Sequence, residues 1–204
     1  MLMIHTLQDQ YVSLVQRMYD AAQQTLAAIP ILARAVNHAD LRLALEAQRR
    51  QTGEHVRRLE QLFGRHGLRP EPRESPSIRT LIAETQDVLR EVEDARAVEG
   101  LVTGVARLIE QHFIIGNGVA RMWALRLGLT EDAEVLGRAV REEETTAEML
   151  ADIAGRMASR IQLRAEREVT PLPRALETPT PPHGVAPMQG PGAVERDRSG
   201  TQSA

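Results

Sequence analysis

The stretch Arg107-Leu108-Ile109-Glu110-Gln111-His112-Phe113-Ile114-Ile115-Gly116-Asn117-Gly118 decides how this chain folds. Leu108, Ile109, Phe113, Ile114 and Ile115 put apolar side chains nearly all round a helix, and a helix with so little face left for water belongs in the middle of a packed structure. The same stretch carries Glu110 and His112. A buried carboxylate is costly unless it has a partner or a metal ion, so the other helices must be searched for polar groups at the same level. Gly116-Asn117-Gly118 lies inside this helix and is therefore no phosphate-binding loop.

Working outward, apolar residues recur at helical spacing from Leu7 through Leu14, Met18, Ala22, Leu26 and Ile29, with Pro30 expected to kink the helix before Val36. Asn37 to Asp40 reads as a turn and cap. A second helix carries Leu41, Leu45, Gln48, Thr52, His55, Leu59, Leu62 and His66 on one stripe and stops at Gly67. Pro70, Pro72 and Pro76 mark an extended link, after which Ser75 is placed to cap a shorter helix with Ile78, Leu81, Ile82, Val88 and Val92. Asp94 is placed to cap the central helix, which stops at Gly128. Thr130 then opens a last long helix with Leu136, Val140, Glu143, Ala147, Leu150, Ile153 and Met157 inside.

Four long helices without a strand signal predict an all-α bundle over residues 1–168. The link from Gly67 to Asp94, about 28 residues with its own helix, is long enough to run the length of the bundle. It would leave the second and third long helices parallel, as in ferritin-like bundles with one long crossover. From 169 to 204 the chain is rich in proline and glycine, including seven of its eleven prolines, and reads as a disordered tail of unknown partner. There is no cysteine, which removes disulfides and thiolate chemistry. All 25 basic residues are arginine, and a net charge of −3 offers no footprint for nucleic acid. No signal peptide and no membrane-length apolar run is visible, so the expected location is the cytoplasm.

At mid-bundle the stripes offer Ala22 on the first helix and Gln48, Gln51, Thr52 and His55 on the second, with Glu54 beside them. The third offers Glu110 with His112, and the fourth offers Glu143. Here the sequence resembles the YciE/YciF family, bacterial ferritin-like proteins associated with stress and sometimes labelled ferroxidases. The likeness rests on Tyr19-Asp20-Ala21-Ala22-Gln23-Gln24 leading to Ile29-Pro30, and on Thr52-Gly53-Glu54-His55-Val56-Arg57-Arg58-Leu59-Glu60. It continues in Leu127-Gly128-Leu129 and in Glu142-Glu143 running to Leu150-Ala151-Asp152-Ile153-Ala154.

The resemblance implies a dinuclear iron or manganese site built from glutamates and histidine. His55, Glu110 and Glu143 match that pattern. Ala22, Gln51, Phe113 and Ala147 stand where the family has carboxylates, and Gln51, Glu54 and His112 are the weaker donors left to fill in. Three functions are then open. One is a stress-associated bundle with a degenerate site that binds at most one ion, weakly. A second is an active ferroxidase whose vacancies are filled by the weaker donors. The third is a metal-free structural or partner-binding bundle, with an apolar outer stripe suited to a homodimer.

Overall fold

The computed structural model describes residues 6–165. Among them there are five helices: α1 (Leu7–Ala35), α2 (Ala39–Arg65), α3 (Pro76–Glu91), α4 (Ala95–Arg126) and α5 (Thr130–Ala165). The tail from 169, the first five residues and the last few assigned to the bundle lie outside the described residues.

Local chemistry sets most of the boundaries. Thr6 and Asp9 form a reciprocal capping box at the start of α1. The α1 helix passes through Pro30 and ends only at Ala35. His38 caps α2 through Nδ1, and Asp94 caps α4 by accepting from the Arg96 amide. Gly67 and Gly128 adopt φ of 64° and 74°, left-handed backbone that glycine enters without steric cost, so the chain leaves α2 and α4 where a glycine stands. Ser75 departs from the sequence reading. It sits at the N-cap of α3 but its side chain makes no cap bond; its backbone N–H instead donates to Asp20 Oδ2 at 2.7 Å, tying the crossover to α1.

The helices pack as the loop lengths require. α1 lies chiefly against α2 and α4 against α5, with α3 laid across α1 and α4. At one end, the His38 amide at the start of α2 donates to Glu99 near the start of α4, at 2.9 Å. At the other end, Arg65, the last residue of α2, and His66 at its C-cap meet Asp132 at the head of α5. α2 and α4 therefore run parallel, and the long crossover returns the chain. The core is lined by Met18, Ile29, Leu41, Leu45, Leu62, Ile109, Leu136 and Leu150, all at most 2 % exposed. The inner stripe read for α2 is buried from Leu41 to Leu62 at each position named, with His66 half-buried at its end.

The central helix differs from its sequence reading. Ile109 and Phe113 are buried, but Leu108 and Ile115 are 56 % and 64 % exposed. α4 therefore turns one face inward and a second apolar face outward. Its Gly-Asn-Gly run has a packing cause at the first position, where a Cβ on Gly116 would overlap the Met18 thioether of α1. Asn117 is buried beside it.

Asp132 pins the far end of the bundle. Its carboxylate is 3 % exposed and accepts from Tyr11 at 2.8 Å and Arg65 at 3.0 Å, with His66 Nε2 2.5 Å away. Four polar groups from α1, α2, the α2 C-cap and α5 thus satisfy one another. Replacing Asp132 with Asn removes the charge that Arg65 and His66 face and leaves one polar contact mismatched. The expected loss is roughly 2 kcal/mol, read as a lower midpoint in urea with an unchanged slope.

Candidate functional site

The polar layer at mid-bundle is built from α2, α4 and α5. Gln48, Gln51, His55 and Arg58 follow one another at three- and four-residue steps, so they share one edge of α2. Glu110 projects from the buried face of α4, and Glu142, Glu143 and Thr146 come from α5. Glu110 is 1 % exposed, Glu143 3 % and His55 5 %.

These groups are already bonded to one another. Gln48 Nε2 donates to Glu110 Oε1 at 2.5 Å, and Gln51 Nε2 donates to Glu143 Oε2 at 3.1 Å. Thr146 Oγ1 donates to Gln51 Oε1 at 2.8 Å, which fixes which way that amide points. His55 is held from both sides, with Nδ1 2.5 Å from Glu143 Oε1 and Nε2 3.0 Å from Glu142 Oε2. Arg58 Nη1 reaches the same Glu142 oxygen at 2.5 Å.

The proton inventory follows from this geometry. Burial raises the Glu110 pKa, and neighbouring Glu143 raises it further, against the opposing Gln48 bond. Glu110 is therefore protonated at neutral pH. Its Oε2 meets no donor, but a proton on this carboxyl makes a donor toward Glu143, which lies within hydrogen-bonding reach. Burial also raises Glu143 and lowers His55. An imidazole with carboxyl oxygens at both nitrogens needs one proton on each contact, so a single proton is shared between Nδ1 and Glu143. Burial opposes ionisation of Glu142 too, but the Arg58 and His55 bonds outweigh it and hold this carboxyl below its usual range.

Counting charges, Glu142 balances Arg58, the His55–Glu143 pair is neutral as a unit, and Glu110 is neutral. The layer reaches electroneutrality through protons and one arginine. Among the described residues, two buried oxygens beyond Glu110 Oε2 remain without partners, Gln48 Oε1 and Thr25 Oγ1.

The structure brings together His55, Glu110, Glu143 and the weaker candidate Gln51. It does not bring in the other two. Glu54 turns outward, its side chain 53 % exposed and 3.5 Å from Arg58. His112 stands two residues from Glu110, hence on a different face of α4. Its ring meets Phe113 edge-on at 5.8 Å, and burial alone lowers its pKa. Sequence reasoning missed Glu142, which stands in the acidic run Glu142-Glu143-Glu144, and Arg58, which supplies the layer's positive charge. The signal for Arg58 was its place three residues after His55 on the α2 edge.

A bundle of four long helices with one long crossover and a carboxylate–histidine layer at mid-height defines a ferritin-like protein. The chain belongs to the family described as a domain of unknown function (DUF892), which matches residues 6–162, and its relatives place it in the YciE/YciF group. It is 25 % identical over 150 residues to the protein YciF of Escherichia coli (strain K12), spanning 73 % of this chain and 90 % of that protein. Among solved structures, it resembles YcfI of Rhodopseudomonas palustris at 26 % identity with a TM-score of 0.71, covering 72 % of this chain and 94 % of the other. It also resembles the crystal structure of the E. coli stress protein YciF, with 24 % identity and a TM-score of 0.73 over 76 % and 99 % of the two chains.

The residues present do not fit the two-ion centre that the fold family implies. Two ions held about 3.5–4 Å apart need bridging carboxylates and several negative charges. Here Ala22 is fully buried, Phe113 is 4 % exposed, and neither carries a donor. Both nitrogens of His55 are engaged, and among the described residues no group of three or more His, Cys, Asp or Glu is arranged to hold a metal ion. A void against His55, bounded also by Arg58, Leu62, Phe113, Asn117 and Leu136, measures about 10 Å³. That is space for one water molecule at most.

Proposed function

We propose that this chain is a stress-associated ferritin-like bundle whose di-metal centre is degenerate, binding at most one divalent ion, weakly, and acting as a helical scaffold rather than a ferroxidase. The observation that carries this reading is the closed bonding of His55, Glu110 and Glu143 with Gln48, Gln51 and Glu142. A metal ion would have to displace a proton and break at least one of these contacts. The association with stress comes from the E. coli relative, called a stress protein.

A second reading, a metal-free bundle that serves only through its surface, draws on the neutrality of the polar layer. The R. palustris relative is described as a candidate structural protein, which is consistent with it. Among the described residues no helix is long and apolar enough to cross a membrane. The cytoplasm is the location we propose.

Elemental analysis after equilibration with ferrous, manganous or zinc ions and gel filtration separates these readings. The degenerate site is expected to retain less than one ion per chain, and His55→Ala is expected to abolish that. No retention at all favours the metal-free bundle. Two ions per chain, with dioxygen-dependent oxidation of ferrous ion above the His55→Ala control, would establish the ferroxidase and overturn the proposal.

A further inference from the structure

Where α4 and α5 lie side by side, a surface cleft of about 360 Å³ opens between them. Three arginines line it, Arg121 from α4 and Arg138 and Arg141 from α5, against one carboxylate, Glu134. All four residues are exposed. Among the described residues, none of the three guanidinium groups has an ion-pair or hydrogen-bond partner. Gly137, buried between them, accounts for how they come together. The point that a Cβ would occupy on it lies 3.0 Å from Arg121 Nε and 3.7 Å from Arg141 Nη1. The missing side chain lets Arg121 lie flat across α5, so two guanidinium groups converge over one helical turn.

Like charges three residues apart on a helix, as Arg138 and Arg141 are, weaken it slightly. Folding therefore gives no reason for this cluster, and its chemistry points to an anion. Guanidinium groups present planar forks of N–H donors that match the oxygens of a phosphoryl group. Three of them against one carboxylate leave two positive charges. That complements a phosphate monoester, which carries about −1.5 to −2 at pH 7. The cleft is larger than that group alone requires and stands at the lower end of the roughly 300–1,000 Å³ of small-molecule sites. Beyond the arginines, the 54 % exposed Leu125 offers an apolar wall. Glu134 and Thr130 lie one and two turns nearer the start of α5 than Gly137. A carboxylate and a hydroxyl there can exchange hydrogen bonds with the hydroxyl groups of a ligand.

We propose that this cleft binds the phosphate monoester of a small polyhydroxylated molecule. Arg121, Arg138 and Arg141 hold the phosphoryl group, Leu125 packs against the carbon frame, and Thr130 and Glu134 bond to hydroxyl groups. The site shares no residue with the layer of His55, Glu110 and Glu143, so it stands whether or not that layer retains a metal ion.

Calorimetric titration of the full-length protein at low ionic strength tests this, with glucose 6-phosphate, glycerol 3-phosphate, glucose and inorganic phosphate as probes. At least one of the two esters is expected to bind, inorganic phosphate to bind more weakly, and glucose not at all. Arg121→Gln and Arg141→Gln each remove a charged fork from an exposed side chain and are expected to keep the helical signal. Each is expected to weaken the ester about tenfold or more. Arg57→Gln, which removes the same charge from an exposed position of α2 outside the cleft, is expected to leave the affinity unchanged. No binding of any phosphate, or equal losses in Arg57→Gln and the two cleft variants, would overturn the site. Inorganic phosphate bound as tightly as both esters would overturn the ester as its ligand. Co-sedimentation with vesicles containing phosphatidic acid, without affinity for either soluble ester, would overturn it in favour of a lipid headgroup.

Discussion

Returning carboxylates to the layer, with Ala22→Glu, Gln51→Glu, Phe113→Glu and Ala147→Asp combined, is expected to make folding depend on metal ions. In the natural chain the layer is neutral because Glu110 is protonated, His55 and Glu143 share a proton and Arg58 offsets Glu142. Four further acids have no such partners. Positions 22 and 113 are closed to solvent, and an uncompensated buried carboxylate costs several kcal/mol. Together they exceed the roughly 5–15 kcal/mol that holds a typical domain. Divalent ions would reverse the sign by neutralising the same groups. Mass action adds about 4 kcal/mol for each ion, hence about 8 kcal/mol for two, when the free ion is a thousandfold above its Kd, and the site then behaves like those in which binding and folding are one event. Circular dichroism should show helix lost in chelator and regained with two equivalents of manganous ion, while the unsubstituted protein melts alike in both. A variant that melts identically with and without metal would mean that these four positions do not surround a common centre.

The parts of this molecule legible in the sequence are those where one periodicity has one consequence. The α2 stripe from Leu41 to Leu62 is buried throughout because a 3.6-residue repeat of apolar groups can meet only one face of a helix. The bundle topology followed from a link too long for a tight turn. The α4 helix was harder, because apolar residues nearly all round it point to burial without saying by what. Ile109 and Phe113 face this chain's own core, whereas Leu108 and Ile115 do not. The seven-residue spacing of the second face distinguishes it from the first.

The polar layer was legible in part for a different reason. Register identified His55, Glu110 and Glu143, but their hydrogen-bond partners depend on reach across helices, which spacing along one helix does not encode. Glu142 illustrates this. It points about 100° away from Glu143 around α5, yet the two nitrogens of one imidazole lie on opposite sides of its ring and touch both residues. His112 was the converse case, since two residues of helix put it on a different face from Glu110, and that limit could have been applied from sequence alone.

Stability should fall as pH rises from 7 to 9, and Glu110→Gln should remove most of that slope. An unfolded Glu110 loses its proton near the ordinary carboxyl value of about 4.3, whereas the folded one holds it well above because burial, and then Glu143, disfavour the charge. Between those values the unfolded chain binds fewer protons, so its contribution is fully present at acid pH and is lost as pH rises. Glu143 acts in the same direction. The other shifted groups of the layer act lower. His55, depressed by burial, makes stability rise with pH only up to about 6.5, and Glu142 protects only until pH falls through its own lowered value. Above pH 7 the raised carboxyls alone remain, at up to about 1.4 kcal/mol per pH unit for one proton. Glutamine at position 110 keeps an oxygen for the Gln48 amide and supplies a permanent N–H toward Glu143, so it retains the hydrogen bonds without the proton. Urea unfolding at pH 7, 8 and 9 should show the natural protein losing roughly 2 kcal/mol over the range and Glu110→Gln less than half of that, with the variant the more stable at pH 9. Parallel curves would place the proton elsewhere, and the layer's neutrality would then need another source of positive charge.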